Sequence, residues 1–68
     1  MRIDVDRLLS EGWYIYSLGN DDVLAPPKDS EYFHKAARVD HTTYKGKALH
    51  FFKYKGFPWD DYLRQDTE

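Results

Sequence analysis

VDHTTYKGKALHFFKY, residues 39–54, decides the fold, because two runs rich in β-branched and aromatic residues flank the pair Lys45-Gly46. Such runs are typical of strands, and a glycine-containing pair between them is typical of a tight hairpin. Lys-Gly is a weaker turn signal than Asn-Gly. The sequence predicts one strand over 39–44 and a second over 47–54.

The predicted hairpin determines the relative position of two histidines. With a two-residue loop, His41 and His50 lie directly opposite each other. Their imidazoles could share a metal ion, with His34 or Asp40 as a third ligand. No His-x-x-x-His or His-Glu-x-x-His spacing supports such a site, so we predict no metal. If both were protonated, they would repel each other and weaken folding below pH about 6.

Charge is segregated along the chain. Residues 41–59, the basic aromatic block, contain four lysines, no acid and six of the 12 aromatic residues. The block carries a charge of +4, whereas residues 1–40 and 60–68 each carry −3. This arrangement favours a surface that contacts another molecule.

Strand alternation divides the block between two faces. One face carries Lys47, Leu49, Phe51, Lys53 and Lys55, and the other carries Ala48, His50, Phe52 and Tyr54. Lysines and aromatic rings therefore coincide only in part. If Phe52 and Tyr54 point outward they indicate a binding site, and if they point inward they belong to the core.

Upstream of the hairpin, the pattern predicts a helix over 4–11 that Asp4 caps and Gly12 ends. Its apolar stripe consists of Val5, Leu8 and Leu9. Residues 13–25 then predict two strands around a turn at 19–22.

Pro26 and Pro27 end the second of these strands. Because proline donates no ladder hydrogen bond, we expect that strand at an edge of the sheet.

A second helix is predicted over 30–38, capped by Asp29 or Ser30, with the stripe Phe33, Ala36 and Ala37. The alternative is a strand in which Phe33, Ala37 and Val39 share a face. The two alanines argue against it.

A third helix is predicted from Pro58, with Asp60 and Asp61 near its N-terminal end. Its stripe consists of Trp59, Tyr62 and Leu63, and we expect residues 65–68 to be a frayed tail. The predicted fold is a single α+β domain over 1–68, in the order α-β-β-α-β-β-α. Short helices would pack on a mostly antiparallel sheet of about four strands.

Composition restricts the class of protein. Sixty-eight residues allow one small domain, and the absence of cysteine excludes disulfides and thiolate metal sites. Aromatic residues make up 18% of the chain and can build a core in place of a larger aliphatic set. No apolar run approaches the ~18 residues of a membrane span and the N-terminus has no hydrophobic signal segment, so we expect a soluble cytoplasmic protein.

An enzyme is not predicted. Nucleophilic catalysis needs a Ser or Cys beside a base and an orienting group, and none of the three serines lies in such a setting. The acid pairs Asp21-Asp22 and Asp60-Asp61 are explained by turn hydrogen bonds and by the charge preference of a helix start. We predict no catalytic residue and no cofactor, and rank a metal-dependent enzyme third among the function classes.

The first of those classes is a small acidic module that binds another protein, because Tyr and Trp are enriched at interface hot spots. The expected interface consists of the anchors Tyr14, Tyr16, Tyr54 and Trp59, with Lys53, Lys55, Asp60 and Asp61 around them. An acidic surface favours a basic partner, such as a nucleic-acid-handling enzyme that the module would inhibit. Inhibitors from phages and mobile elements often have this compact acidic character. Homodimerisation would also bury aromatic rings.

The second class is a single-stranded nucleic-acid binder, which needs lysines for phosphates and rings for base stacking. Its candidate residues are Tyr44, Lys45, Lys47, Phe52, Lys53 and Lys55. A sequence pI of 5.8 and the absence of arginine from the basic aromatic block disfavour it.

Overall fold

The computed structural model describes residues 2–63, and the predicted frayed tail at 65–68 lies outside them. The protein is a small α+β domain. Its elements are helix α1 (Val5–Ser10), strands β1 (Tyr14–Leu18), β2 (Asp21–Ala25), β3 (Ala37–Tyr44) and β4 (Lys47–Tyr54), and a 3₁₀ helix (Trp59–Tyr62). No helix among the described residues is both long enough and apolar enough to cross a bilayer.

The four strands form one mixed sheet in the order β1-β2-β4-β3. The β1–β2 and β3–β4 pairs are antiparallel, and β2 and β4 are parallel through Val23–His50 and Leu24–Phe51. The prediction of a mostly antiparallel sheet is therefore not confirmed, because a parallel contact joins the two hairpins.

The prediction that β2 is an edge strand is wrong. The strand lies between β1 and β4, and its contact with β4 ends at Leu24, before Pro26. The prolines follow the paired segment, so their missing N–H groups cost the ladder nothing.

The β3–β4 hairpin confirms the predicted register, including His41 opposite His50. Lys45 and Gly46 have φ values of 52° and 79°. Left-handed conformations at both central residues are those of a type I′ turn, whose twist matches that of the strands. Glycine adopts this conformation at little cost, whereas Lys45 is strained in it.

Helix α1 also forms where it was predicted. The Asp4 side chain accepts a hydrogen bond from the Arg7 N–H at 3.2 Å. Gly12 turns the chain with φ 105°, and the Trp13 N–H then donates to the Leu8 carbonyl. This glycine-dependent ending directs the Trp13 ring into the same core cluster as Leu8.

The predicted second helix does not form. Residues 28–34 make successive turns instead, in which the Tyr32 N–H donates to the Ser30 hydroxyl at 3.1 Å. The chain from Ala37 onward belongs to β3 and pairs with β4 as far as Tyr54. Eight residue pairs of sheet outweigh the modest helix preference of two alanines.

The final helix is a single 3₁₀ turn rather than the predicted α-helix. Trp59 and Tyr62 are buried as its stripe implies, whereas Leu63 is half exposed. The Asp4 N–H donates to the Tyr62 carbonyl, and Ile3 forms an isolated bridge with Leu63. The two ends of the described chain are thus joined.

Most of the core lies between one face of the sheet and the helical elements. Its fully buried centre is Phe51, with Leu24 beside it on β2 and Leu8 on α1. The ring of Trp59 lies 5.3 Å from that of Phe51. Buried Thr42 faces the same core and accepts a hydrogen bond from the Ile3 N–H. All helical elements therefore cover one side of the sheet.

Candidate functional site

No helix of residues 2–63 lies on the other side of the sheet, and we call that side the open face. Strand alternation and the observed register place on it Tyr14, Tyr16, Leu18, Val39, His41, His50 and Phe52. Strands β1, β3 and β4 thus present a surface rich in aromatic and aliphatic side chains. Leu18 and Val39, from the two edge strands, are 63% and 65% exposed.

A hollow interrupts the open face. Ala25 pairs with Tyr14 on β1, and its small side chain leaves space between the rings of Tyr14 and Phe52. The space measures 330 Å³, and residues of the 26–36 loop, including Phe33 and Lys35, line one side of it. The result is a shallow aromatic-walled hollow, which is the kind of concavity that takes an apolar side chain.

The aromatic rings that wall the hollow contact neighbouring rings on the same strands. The rings of Tyr14 and Tyr16 lie 5.9 Å apart on β1, and those of Phe52 and Tyr54 lie 6.4 Å apart on β4. Val23 is buried between these strands. Because the rings stand on paired strands, the sheet holds the shape of the hollow.

The polar part of the open face is small. The rings of His41 and His50 lie 6.4 Å apart, and the His50 Nε2 is 3.7 Å from an Asp21 carboxylate oxygen. The two histidines lie two residues before Phe52 on β4 and two residues after Val39 on β3, next to the hollow.

The four expected aromatic anchors divide into two pairs. Tyr14 and Tyr16 lie on the open face and are half-buried. Tyr54 and Trp59 are only 4% and 8% exposed and belong to the core cluster, so they are not the surface anchors that the sequence suggested. The Tyr32 ring covers Tyr54 at 5.6 Å, and burial raises the pKa of the Tyr54 hydroxyl.

The charged residues expected around those anchors lie elsewhere. Lys53 and Lys55 lie beside Trp59 and Arg38, at the end of β4. Asp60 and Asp61 are exposed on the 3₁₀ helix, and the Arg7 guanidinium donates to the Asp61 carbonyl at 2.7 Å. Both acids are therefore on the helical side of the molecule.

The nucleic-acid candidates do not converge. The Tyr44 hydroxyl donates to Asp6, and the Lys45 ammonium lies 5.3 Å from the centre of the Tyr44 ring. Lys47 is at the same turn, roughly 20 Å along β4 from Lys53. Phe52 points to the opposite face from both of these lysines, so the cations and the half-buried Phe52 ring form no single site.

The candidate metal ligands are brought together only in part. His41 and His50 are neighbours, but the His34 ring packs on Phe33 in the 26–36 loop. Asp40 instead accepts a hydrogen bond from the His41 backbone N–H at 2.8 Å, which holds the pKa of its carboxyl below the ordinary value. Within residues 2–63, no three His, Asp or Glu side chains form a group that could hold a metal ion.

Sequence reasoning missed Val39, Leu18 and Arg38 as surface residues of interest. The signal for Leu18 was available, because it continues the alternation of Tyr14 and Tyr16. Comparison of the chain with protein-family models, with curated proteins and with solved structures found no match.

Proposed function

We propose that this protein is a protein-binding module whose open face receives a partner protein. The observation that carries the proposal is the aromatic hollow over Ala25, set in a sheet face that no helix of the described part of the chain covers. A partner inserts an apolar side chain between the rings of Tyr14 and Phe52. The exposed Leu18 and Val39 side chains then pack against the surrounding partner surface.

The distribution of charge supports a protein over a nucleic acid. Lys35 is the cation that lines the hollow, whereas Lys47 and Lys53 stand on the opposite face of the sheet. Base stacking on exposed rings needs neighbouring cations for the phosphates. As far as residues 2–63 show, the open face has aromatic rings but no array of cations beside them.

A basic partner is favoured by long-range attraction. The protein has a net charge of −2, and Asp6, Glu11, Asp60 and Asp61 are exposed. Such a field steers a basic protein toward the module and speeds association. Association should therefore slow as the salt concentration rises, while the apolar contact in the hollow sets the dissociation rate.

The test uses a variant that fills the hollow. Ala25→Leu places a larger side chain between the aromatic walls without removing any existing contact. Peptides selected from a random display library on the wild-type protein should fail to bind this variant. The control is Ala48→Leu, an equal enlargement on β4 away from the hollow.

The expected result is a set of peptides with a shared apolar residue whose binding perturbs the amide resonances of Tyr14, Tyr16 and Phe52. Binding should survive Ala48→Leu and be lost in Ala25→Leu, with both variants folded. If selected peptides bind Ala25→Leu as well as wild type, the hollow is not the site. Sedimentation of the concentrated wild-type protein could instead show a dimer that is absent from Ala25→Leu. A second copy of the chain would then occupy the hollow, and the proposal of a different partner protein would be wrong.

A further inference from the structure

A second concavity lies at the end of the β3–β4 hairpin away from the Lys45-Gly46 turn. It measures 520 Å³, and its lining includes Arg38, Lys53, Lys55, Tyr54, Gly56 and Trp59. We call it the cationic groove, because the described residues that line it include three cations and no acid. Arg38 and Lys53 belong to the covered side of the hairpin, and Ala37 and Tyr54 also line the aromatic hollow.

The groove contains an unfavourable pair of charges. Arg38 and Lys53 are directly opposite each other across β3 and β4. Like charges in that position oppose strand pairing, so the arrangement costs stability. Within residues 2–63, neither of them, nor Lys55, forms an ion pair.

The Asp40 carboxylate interacts with Lys53 and offsets part of this charge. That carboxylate already accepts the His41 backbone N–H, and it is absent from the lining of the groove. Among residues 2–63, the described lining of the groove therefore has three cations and a positive charge. An anionic ligand would relieve the repulsion between Arg38 and Lys53.

The floor of the groove restricts the type of anion. The Trp59 indole N–H donates to the Tyr54 carbonyl at 2.9 Å, and both rings are buried. A buried ring offers no free face on which a base could stack. An apolar side chain can still pack against the exposed rim that Ala36 and Gly56 provide.

We propose that the cationic groove binds an acidic peptide segment of a partner protein. Its carboxylates engage the Arg38 guanidinium, which suits bidentate contact, and the Lys53 and Lys55 ammonium groups. A neighbouring apolar side chain of the segment lies over the rim beside Trp59. The three cations of the groove are not among the residues that line the hollow over Ala25, although the two linings meet at Ala37 and Tyr54.

The test compares two double variants with the same loss of charge. Arg38→Gln/Lys53→Gln removes the opposed cations of the groove, and Lys45→Gln/Lys47→Gln removes two cations at the other end of the same hairpin. The ligand is a short synthetic peptide of alternating Glu and Leu, followed by amide resonance shifts. We expect the groove variant to weaken binding by about tenfold or more and the control to change it by less than about twofold.

Stability gives a second readout. Removing the repulsion should leave the melting temperature of Arg38→Gln/Lys53→Gln equal to or above that of wild type. A purely structural role for these residues predicts a lower melting temperature instead. The variant Ala25→Leu should bind the Glu-Leu peptide like wild type, because it alters only the hollow.

Three further ligands decide the chemistry. A Gln-Leu peptide of the same length should not bind, and equal binding of the two peptides would overturn the proposal. Tighter binding of oligothymidylate would assign the groove to nucleic acid, and binding of inorganic phosphate alone would make it a small-anion site. The absence of binding by the Glu-Leu peptide at low salt would also overturn it.

Discussion

The indole N–H of Trp59 donates a hydrogen bond to the backbone carbonyl of Tyr54 at 2.9 Å, and both residues are buried. Around them the ring of Trp13 contacts Phe57 and Trp59 at centroid distances of 5.5 and 6.1 Å. These rings form the aromatic part of a core that lacks disulfides. Much of the aromatic excess of the basic aromatic block is therefore needed for stability.

Replacing Trp59 with Phe should destabilise the protein by about 1–3 kcal/mol, because the buried Tyr54 carbonyl loses its indole donor. Urea unfolding measures the change. The exposed apolar residue Leu63 provides the control, since Leu63→Ser should change the unfolding free energy by less than about 0.5 kcal/mol. A Trp59→Phe protein as stable as wild type would show that water replaces the donor.

Alkaline pH should destabilise the fold through two tyrosines. The pKa of Tyr62 is raised above the ordinary 10.0, mainly by its hydrogen bond to Glu11 and to a smaller extent by burial. Burial also raises the pKa of Tyr54 above 10.0. Groups with a raised folded-state pKa stabilise the protein fully below pH 10.0 and lose that contribution as the pH rises through the folded value. Tyrosinate absorbance should show these two among the last tyrosines to ionise.

Glu11→Ala tests the Tyr62 assignment directly. Loss of the carboxylate acceptor should lower the pKa of Tyr62, so its ionisation moves to lower pH. The exposed acid Glu31 supplies the control, since Glu31→Ala should leave the titration curve unchanged. An unaltered curve in Glu11→Ala would mean that the hydrogen bond does not persist in solution.

Asp40 should contribute to stability at neutral pH and lose that contribution in acid. The His41 backbone N–H, its largest influence, holds the pKa of Asp40 below the ordinary 3.8. A lowered pKa stabilises the fold above pH 3.8, and the contribution disappears as the pH falls through the folded value. Asp40→Ala should cost about 0.5–1 kcal/mol at pH about 7.

The difference in unfolding free energy between wild type and Asp40→Ala should then shrink below pH about 4. An Asp40→Asn variant keeps an acceptor oxygen and should show a smaller loss at neutral pH. A loss that is independent of pH would rule out the charge of Asp40 as its cause.

Lys45→Asn should stabilise the hairpin by about 0.5 kcal/mol, because asparagine tolerates a left-handed conformation better than lysine does. The φ of 52° at Lys45 is the only positive value among the non-glycine residues described. Thermal unfolding measures the change. Lys47→Asn removes the same charge outside the turn, and equal stabilisation by both variants would indicate a charge effect instead.

The sequence predicted the hairpin and α1 because their signals are local. Lys45-Gly46 lies between two strand-forming runs, and Asp4 and Gly12 mark the ends of a short apolar stripe. The helix predicted at 30–38 was wrong because the end of this segment pairs with β4, which is distant in sequence. Ala37 pairs with Tyr54, and the residues near Ala37 in sequence do not indicate that partner.

The candidate site was predictable only in part. Alternation assigns Tyr14 and Tyr16 to one face of β1, and separates Phe52 from Lys53 on β4. It does not say which of the two faces the helices will cover. Nor does it place Arg38 opposite Lys53, a relationship that required the correct start of β3.

By itself the sequence determined the local elements: a capped first helix, two hairpins, and the register that sets His41 opposite His50. Tertiary structure alone decided that β2 lies inside the sheet, that Tyr54 and Trp59 are core residues, and that Tyr14, Phe52 and Ala25 form a hollow. The physical reason is the range of the interactions. Caps, turns and strand alternation act between residues close in sequence. Burial depends instead on which distant segments lie on the same face of the sheet. In this protein the parallel contact between β2 and β4 brings the two hairpins into one sheet and so decides which segments those are.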